Sequence, residues 1–307
     1  MSRIAILGCG AMGSVYAGLF AAAGHDVLAI DSWGAHVDAM NRDGLRLEGA
    51  SGERTVRLAA ATSTEGQAPV DLVILATKAR DVATAARAIP PLLGPETTVL
   101  TIQNGLGSSA VLAGALGQDR VVAGIAGGFG ASLKGPGHAH HNGMEVVRIG
   151  ELDGPATPRL AAIAAMWRGA GFRAEACDDI QALTWEKLIC NVTFSGICAL
   201  TGLTIGEVMA DEDLWPTARA CGVEAWEVAK ARGVRLSVED PVAHITAFGR
   251  KIPNARPSLL LDHRARRRSE IDAINGAIPR EAALAGRAAP VNATITALVR
   301  QRERDFA

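Results

Sequence analysis

No stretch of this 307-residue chain is apolar enough to span a bilayer. Its most hydrophobic runs, such as LVILAT from Leu72 to Thr77, fall far short of the about 20 residues a transmembrane helix needs. The first residues read as a strand and not as a charged leader with an apolar core, so neither a signal peptide nor a membrane segment is expected. Neither charge sign dominates. With 31 Lys and Arg against 32 Asp and Glu, the chain offers no basic face for nucleic acid or an anionic membrane. Only five cysteines occur (Cys9, Cys177, Cys190, Cys198, Cys221), none in a CxxC pair or at metal-ligand spacing, which predicts reduced, structural thiols in a cytoplasmic protein. One Tyr, six Phe and five Trp leave the core to Ala, Leu, Ile and Val. There is no internal repeat and no low-complexity tract. His138, His140 and His141 alternate in GPGHAHHNG, read as a loop, but no acidic or Cys partner is spaced to complete a metal site.

What is present is organised around Arg3 to Gly13, RIAILGCGAMG. Four apolar residues run into Gly8, Cys9, Gly10, Ala11, Met12 and Gly13, and a helix-favouring segment follows to Ala23. The pattern is strand, tight turn, helix. Gly8 makes the turn, Gly10 lets a pyrophosphate approach the backbone, and Gly13 lets the helix lie close on the strand. Amides at the helix start and the helix dipole then favour the phosphates. A second strand, DVLAID, ends at Asp31, where a carboxylate can accept hydrogen bonds from both ribose hydroxyls. Ser32, Trp33 and Gly34 bring no cation to offset a 2′-phosphate. The cofactor reading is therefore NAD, with NADP as the alternative.

In chain order, Ala35 to Arg42 predicts a helix, Leu45 to Leu58 a hairpin around Gly49 to Gly52, and Val70 to Thr77 a buried parallel strand. A helix to Leu93 and a strand from Thr98 to Ile102 follow. Arg120 to Phe129 and Met144 to Ile149 read as strands, Pro155 to Gly169 as a helix and Phe172 to Cys177 as a last strand. Strands alternating with helices define an α/β, Rossmann-type domain over residues 1–177. From Asp178 apolar residues recur at three and four. Residues 178–307 are therefore read as an all-α domain of about four long helices, broken at Thr201-Gly202, at Gly233 and around Pro253 to Pro257.

Lys78, after VILATK, and Asn104, in TIQNG, stand at carboxyl ends of strands, where ligands of such sheets bind. Lys187, Asn191 and Ser195 are spaced four apart, so they share one helix face. A lysine and an asparagine in the otherwise apolar LICNVTFSGICAL are costly to bury without partners, which predicts that this face lines a wet cleft. A further helix is expected over PSLLLDHRARRRSEIDAING, bringing Ser258, Asp262 and Glu270 to one side. Arg264, Arg266, Arg267 and Arg268 are then neutralised by intrahelical pairs.

In that order, GCGAMG, VILATKA, QNG, EKLICN and PSLLLDHRARRRSEIDAING resemble the ketopantoate reductase (2-dehydropantoate 2-reductase) family over essentially the whole chain. The resemblance implies reduction of a 2-oxo acid by nicotinamide hydride, between a Rossmann domain and a helical domain, as in pantothenate biosynthesis. It makes Lys187 the general acid and Glu270 its partner across the substrate. It places Lys78, Asn104 and Glu270 on the cofactor side, and Asn104, Asn191, Ser195 and Ser258 at substrate positions. It leaves a homodimer open. A protonated lysine suits the role, because hydride arriving at a carbonyl carbon leaves negative charge on oxygen. Three positions depart from the family pattern. Ser195 replaces an asparagine, Ile205 a polar residue, and Leu261 a glutamine, all read as walls of the pocket for the substrate's far end. Three functions follow: the family activity on 2-dehydropantoate, an NAD-dependent dehydrogenase of another branched or apolar 2-oxo or 2-hydroxy acid, or a non-catalytic dinucleotide sensor. Retention of Lys187, Asn191 and Glu270 argues against the sensor.

Overall fold

The computed structural model describes residues 1–128, 130–143 and 146–306. The chain divides into two units, one formed by Met1–Gln103 with Ser108–Ile180 and the other by Asn104–Gly107 with Gln181–Ala307.

In the first unit, β1 (Arg3–Leu7), α1 (Ala11–Ala22), β2 (Asp26–Ile30), α2 (Gly34–Asp43), β3 (Leu45–Gly49), β4 (Arg54–Val56), β5 (Ala59–Ala61) and β6 (Val70–Leu75) succeed one another. They are followed by α3 (Val82–Ala88), β7 (Leu93–Thr101), α4 (Ser108–Leu116), β8 (Val121–Gly127), β9 (Gly130–Gly135), β10 (His138–Gly143), β11 (Val146–Glu151), α5 (Pro158–Gly169) and β12 (Ala174–Ala176). An eight-stranded sheet has the order β12-β11-β8-β7-β6-β1-β2-β5. Every pair in it is parallel except β11 with β8. The chain winds outward in both directions from β1, with β2 on one side and β6 on the other. That reversal places a binding crevice at the carboxyl ends of β1 and β6. The apolar run Ile4–Leu7 is almost wholly buried, as a strand covered on both faces requires.

A smaller sheet, β4-β3-β10-β9, lies against α1. Its β3–β4 hairpin is the one expected between Leu45 and Leu58. The histidine segment, expected as a loop, is instead β10, parallel to β3 and antiparallel to β9. Gly-Pro-Gly marks only the turn before it. HAHHNG lacks the β-branched residues that announce a strand, but pairing on both sides and burial of Ala139 and His141 supply what intrinsic preference does not. The expectations at Phe129 and Met144 fall outside the described residues. Despite the scarcity of aromatics, Tyr16, Phe20, Trp167 and Phe172 gather where α1 meets α5, with ring centroids 4.7–5.9 Å apart.

The second unit is helical: α6 (Ile180–Thr201), α7 (Ile205–Ala210), α8 (Leu214–Ala231), α9 (Pro241–Lys251), α10 (Ser258–Arg264), α11 (Ala277–Leu284) and α12 (Pro290–Arg302). The three expected breaks all occur, but further ones make the pieces seven among the described residues, not four. A buried amide network ties them together. Asn275 Nδ2 donates to Val192 O (2.8 Å) and Asn292 Oδ1 (2.9 Å), and Asn292 Nδ2 donates to Cys221 O (2.9 Å). The Glu224 carboxylate caps α12 by accepting the amides of Val291 and Asn292.

The helix expected to run from Ser258 through Asn275 stops at Arg264. Arg266 takes a left-handed conformation (φ 50°). The amide of Arg267 then donates back to Asp262 O (2.9 Å) and that of Arg266 to His263 O (3.0 Å), a Schellman closure with arginine where glycine is usual. Helical phase therefore does not relate Ser258 and Asp262 to Glu270. The arginines are also paired differently from the expectation. Arg267 does reach Asp262 (3.3 Å), but Arg266 lies over the Phe306 ring and Asp272 pairs with Arg300 of α12.

Candidate active site

The glycine turn of the first unit has the geometry its spacing requires. Gly8 has φ +91°, and a Cβ there would sit 2.6 Å from the Thr77 backbone. A Cβ on Gly13 would lie 2.2 Å from the carbonyl oxygen of Gly8, so only glycine lets α1 start this close to β1. Around Gly10 nothing lies within 4 Å of such a Cβ. The one glycine whose side face opens to free space is the one assigned to pyrophosphate approach. No side chain caps the start of α1 at Gly10. Beside the turn, the hydroxyl of Thr77 is buried with no hydrogen-bond partner. An open cradle, an uncapped helix start and an orphaned hydroxyl at the sheet's switch point fit a bound dinucleotide.

Asp31 follows β2 and is half-buried. Its Oδ1 accepts the amide of Trp33 (2.9 Å), and among the described residues Oδ2 has no partner. Lys78 stands three residues past β6, half-buried, and its carbonyl accepts the amide of Asp81. A support absent from the sequence reading sits behind the turn. The amide of Gly137 donates to His36 Nδ1 (2.9 Å), so Nε2 carries the proton of the neutral ring and faces Ser14 Oγ (3.2 Å). Ser14 in turn donates to Cys9 O (3.0 Å). Burial lowers the His36 pKa, which keeps the ring neutral and this chain of bonds intact. Burial likewise pushes the Cys9 thiol up to about 12, so it is inert inside the turn.

The second unit collects the other candidates. The Asn104–Gly107 segment leaves β7 and joins the helical unit, where the amide of Leu106 donates to Ala273 O (2.9 Å). Gly105 makes this fit possible, because with φ +83° its Cβ would lie 2.0 Å from that same oxygen. Asn104 is thereby fixed beside α6, and Lys187 Nζ donates to its Oδ1 (2.8 Å). Glu270 is buried in the turn that holds Ala273. Burial pulls the Lys187 pKa down to about 8, and the nearby Glu270 carboxylate acts against that shift. The result is an ammonium poised to give up a proton near neutral pH, held by the Asn104 amide and favoured by the Glu270 charge.

Next to it lies a cavity of about 140 Å³. Asn104, Asn191, Ser195, Ser258 and Arg256 give it polar walls, while Cys190, Phe194, Ile205, Phe248 and Ile252 give it apolar ones. Its size suits a small metabolite, since sites for drug-sized ligands run to about 300–1,000 Å³. The structure thus brings Asn104, Asn191, Ser195 and Ser258 together on one cavity, with Lys187 bonded to one of them. Ile205 is in the wall as expected. Leu261 is not, since it lies one turn further along α10 and is half exposed. Two threonines close to this wall in sequence make their hydrogen bonds elsewhere. Thr201 Oγ1 donates to Ile197 O, and Thr204 caps α7 through a reciprocal bond with Glu207. Phe248, Ile252 and Arg256 escaped the sequence reading. The only sign of them was the proline-bracketed break from Pro253 to Pro257.

Among the described residues, no group of three or more His, Cys, Asp or Glu is placed to hold a metal, and no helix is long and apolar enough to cross a membrane. A dinucleotide turn on a largely parallel sheet, joined to a helical unit that presents a lysine of lowered pKa, defines a nicotinamide-dependent oxidoreductase. The comparisons narrow the class. The family model described as "Ketopantoate reductase PanE/ApbA" matches residues 4–154, and "Ketopantoate reductase PanE/ApbA C terminal" matches residues 179–303. The 2-dehydropantoate 2-reductases of Archaeoglobus fulgidus and Streptococcus pyogenes serotype M3 are each 31% identical, over 98% and 97% of this chain and 97% of their own. The chain belongs to the ketopantoate reductase family. A family member from Ralstonia eutropha JMP134 superposes with a TM-score of 0.90 at 34% identity, covering 98% of both chains. A D-mandelate dehydrogenase, solved with NADH and anilino(oxo)acetate, is also similar, with a TM-score of 0.89, 28% identity and 98% coverage of both.

Proposed function

We propose that this protein is an NADH-preferring reductase of a small 2-oxo acid with an apolar substituent, and that 2-dehydropantoate is its secondary substrate. The cavity wall carries the reading. Where the family pattern has polar groups, Ile205 offers none and Ser195 is shorter than asparagine by an amide, while Phe194, Phe248 and Ile252 extend the apolar side. A site that hydrogen-bonds a substrate hydroxyl selects strongly for it, and one without such donors rewards buried methylenes at roughly 0.8 kcal/mol each. The D-mandelate dehydrogenase named above, crystallised with an aryl 2-oxo compound, supports the same direction.

In this assignment the unit over residues 1–177 binds the dinucleotide through Gly8 to Gly13, Asp31 and Lys78, and residues 178–307 with Asn104 bind the acid. Bound nicotinamide supplies hydride to, or accepts it from, the carbon bearing the oxygen. Lys187 holds the carbonyl oxygen with Asn104 and delivers the proton as the carbon–oxygen π pair moves onto oxygen. Glu270 keeps the lysine ammonium charged at neutral pH. Asn191, Ser195 and Ser258 orient the acid. Asp31, with Oδ2 available and no cation in the segment after it, favours the free ribose of NAD over a 2′-phosphate. Five free cysteines, four of them buried, suit a reducing cytoplasm. The test is kcat/KM for 2-dehydropantoate against unhydroxylated branched and aryl 2-oxo acids, with NADH and with NADPH. A tenfold or greater advantage for 2-dehydropantoate would restore the plain family activity.

A further inference from the structure

Among the described residues, Arg256 supplies the only side-chain cation in the cavity wall, in a position that no motif of the sequence singled out. We infer that Arg256 binds the C1 carboxylate of the acid and is the residue that makes the cavity select anions. The inference rests on the reading of this cavity as a 2-oxo acid site.

Three observations carry it. First, the mount is rigid. The segment preceding α10 is bonded to the start of α7, with the amide of Ile205 donating to Ala255 O (3.1 Å) and that of Gly206 to Pro253 O (2.7 Å). Pro257 closes the segment and fixes the entry to α10. An arginine on a backbone held at both ends loses less freedom on binding than one on a free loop. Second, the acid that feels its charge, Glu207, is already committed. Glu207 accepts the amide of Thr204 (2.7 Å) and its hydroxyl (2.8 Å) as the reciprocal half of the α7 cap. Arg256 helps keep the Glu207 pKa low, after those two hydrogen bonds. Third, the other cation of the site is spoken for. Lys187 donates to Asn104 and serves the carbonyl oxygen, so a monoanionic acid needs a separate counter-charge for its carboxylate. A guanidinium meets a carboxylate with two parallel N–H bonds, and Ser258, also on the wall, adds a hydroxyl. With charge and donors at this end and Phe194, Phe248, Ile205 and Ile252 opposite in character, the acid has one favourable orientation.

The experiment compares wild type, Arg256→Ala and Arg256→Lys with a 2-oxo acid and with its neutral methyl ester, under saturating NADH. For the acid, Arg256→Ala raises KM about 10- to 100-fold with kcat held within a few-fold, and Arg256→Lys recovers part of the loss. For the ester, KM is the same in all three proteins. Thermal midpoint and NADH affinity, measured alongside, stay at wild-type values because the residue is exposed and outside the first unit. An unchanged KM for the acid overturns the inference, as does equal loss for acid and ester, which would make Arg256 a matter of shape. Those results leave the proposed function standing. Absence of turnover of any 2-oxo acid by the wild type overturns that function and the inference together.

Discussion

Lys187 gives a quantitative expectation that needs no mutation. Burial pulls its pKa to about 8 against the opposing influence of Glu270. Reduction requires the ammonium and oxidation of the 2-hydroxy acid requires the free amine. The reductive rate therefore falls as pH rises through 8, and the oxidative rate rises over the same interval. A group titrating at 8 keeps its proton in about 91% of molecules at pH 7 and about 9% at pH 9, a fall of about tenfold. A lysine at the ordinary value of about 10.4 would lose only ~4% over that interval. The assay is kcat/KM for the preferred acid from pH 6 to 10, in both directions, at constant ionic strength. Glu270→Gln removes the charge that raises the pKa, so its reductive limb moves to lower pH. Folding stability runs opposite to the reductive rate. Between about pH 8 and the unfolded-state lysine pKa the unfolded chain binds the extra proton, so stability rises with pH there. A reductive profile flat to pH 10, or a limb that moves upward in Glu270→Gln, would refute the assignment of Lys187 as proton donor. Lys187→Ala, for its part, lowers kcat by roughly 10²- to 10⁴-fold.

The glycine turn separates binding from folding. Gly10→Ala places a methyl in open space, so its thermal midpoint matches wild type while NADH affinity, measured by fluorescence titration, drops at least tenfold. In contrast, Gly13→Ala meets the Gly8 carbonyl and lowers the midpoint itself. On coenzyme choice, kcat/KM favours NADH by about 1–3 kcal/mol, or roughly one to two orders of magnitude. Equal or better use of NADPH would show that Asp31 does not meet the ribose. Finally, Glu303→Ala removes a carboxylate that accepts from buried His263 (2.9 Å) and from the amide of Ser269 (2.9 Å). Both donors are left buried, at a cost of about 3–5 kcal/mol in denaturant unfolding. A loss below about 1 kcal/mol would mean that water replaces the bond.

Where one residue decides a local shape, the sequence was readable. GCGAMG requires three glycines for three different reasons, two of which show as close approaches at Gly8 and Gly13 and the third as open space at Gly10. Lys187, Asn191 and Ser195 could be placed on one face because α6 is long and its other positions are apolar. What was not legible depended on partners distant in sequence. β10 is a strand because β3 and β9 flank it, although HAHHNG has no strand preference of its own. The PSLLLDHRARRR segment has an unbroken helical pattern, yet it ends where Arg266 turns left-handed, with Arg266 over Phe306 and His263 bonded to Glu303 near the far end of the chain. Those partners lie 40 residues further along the chain, beyond the reach of a local pattern. The same limit hid Phe248, on α9, and Arg256, which reaches the cavity on a proline-bracketed segment held by backbone bonds from α7. It also misplaced Leu261, whose motif position suggested a pocket wall. At a rise of 1.5 Å per residue, three positions beyond Ser258 carry a side chain about 4.5 Å along α10, enough to pass the rim of a cavity this small. Motif spacing therefore located Lys187 and Asn104, which lie within hydrogen-bond reach of each other. The specificity wall, assembled from four helices and a loop, emerges only from their packing.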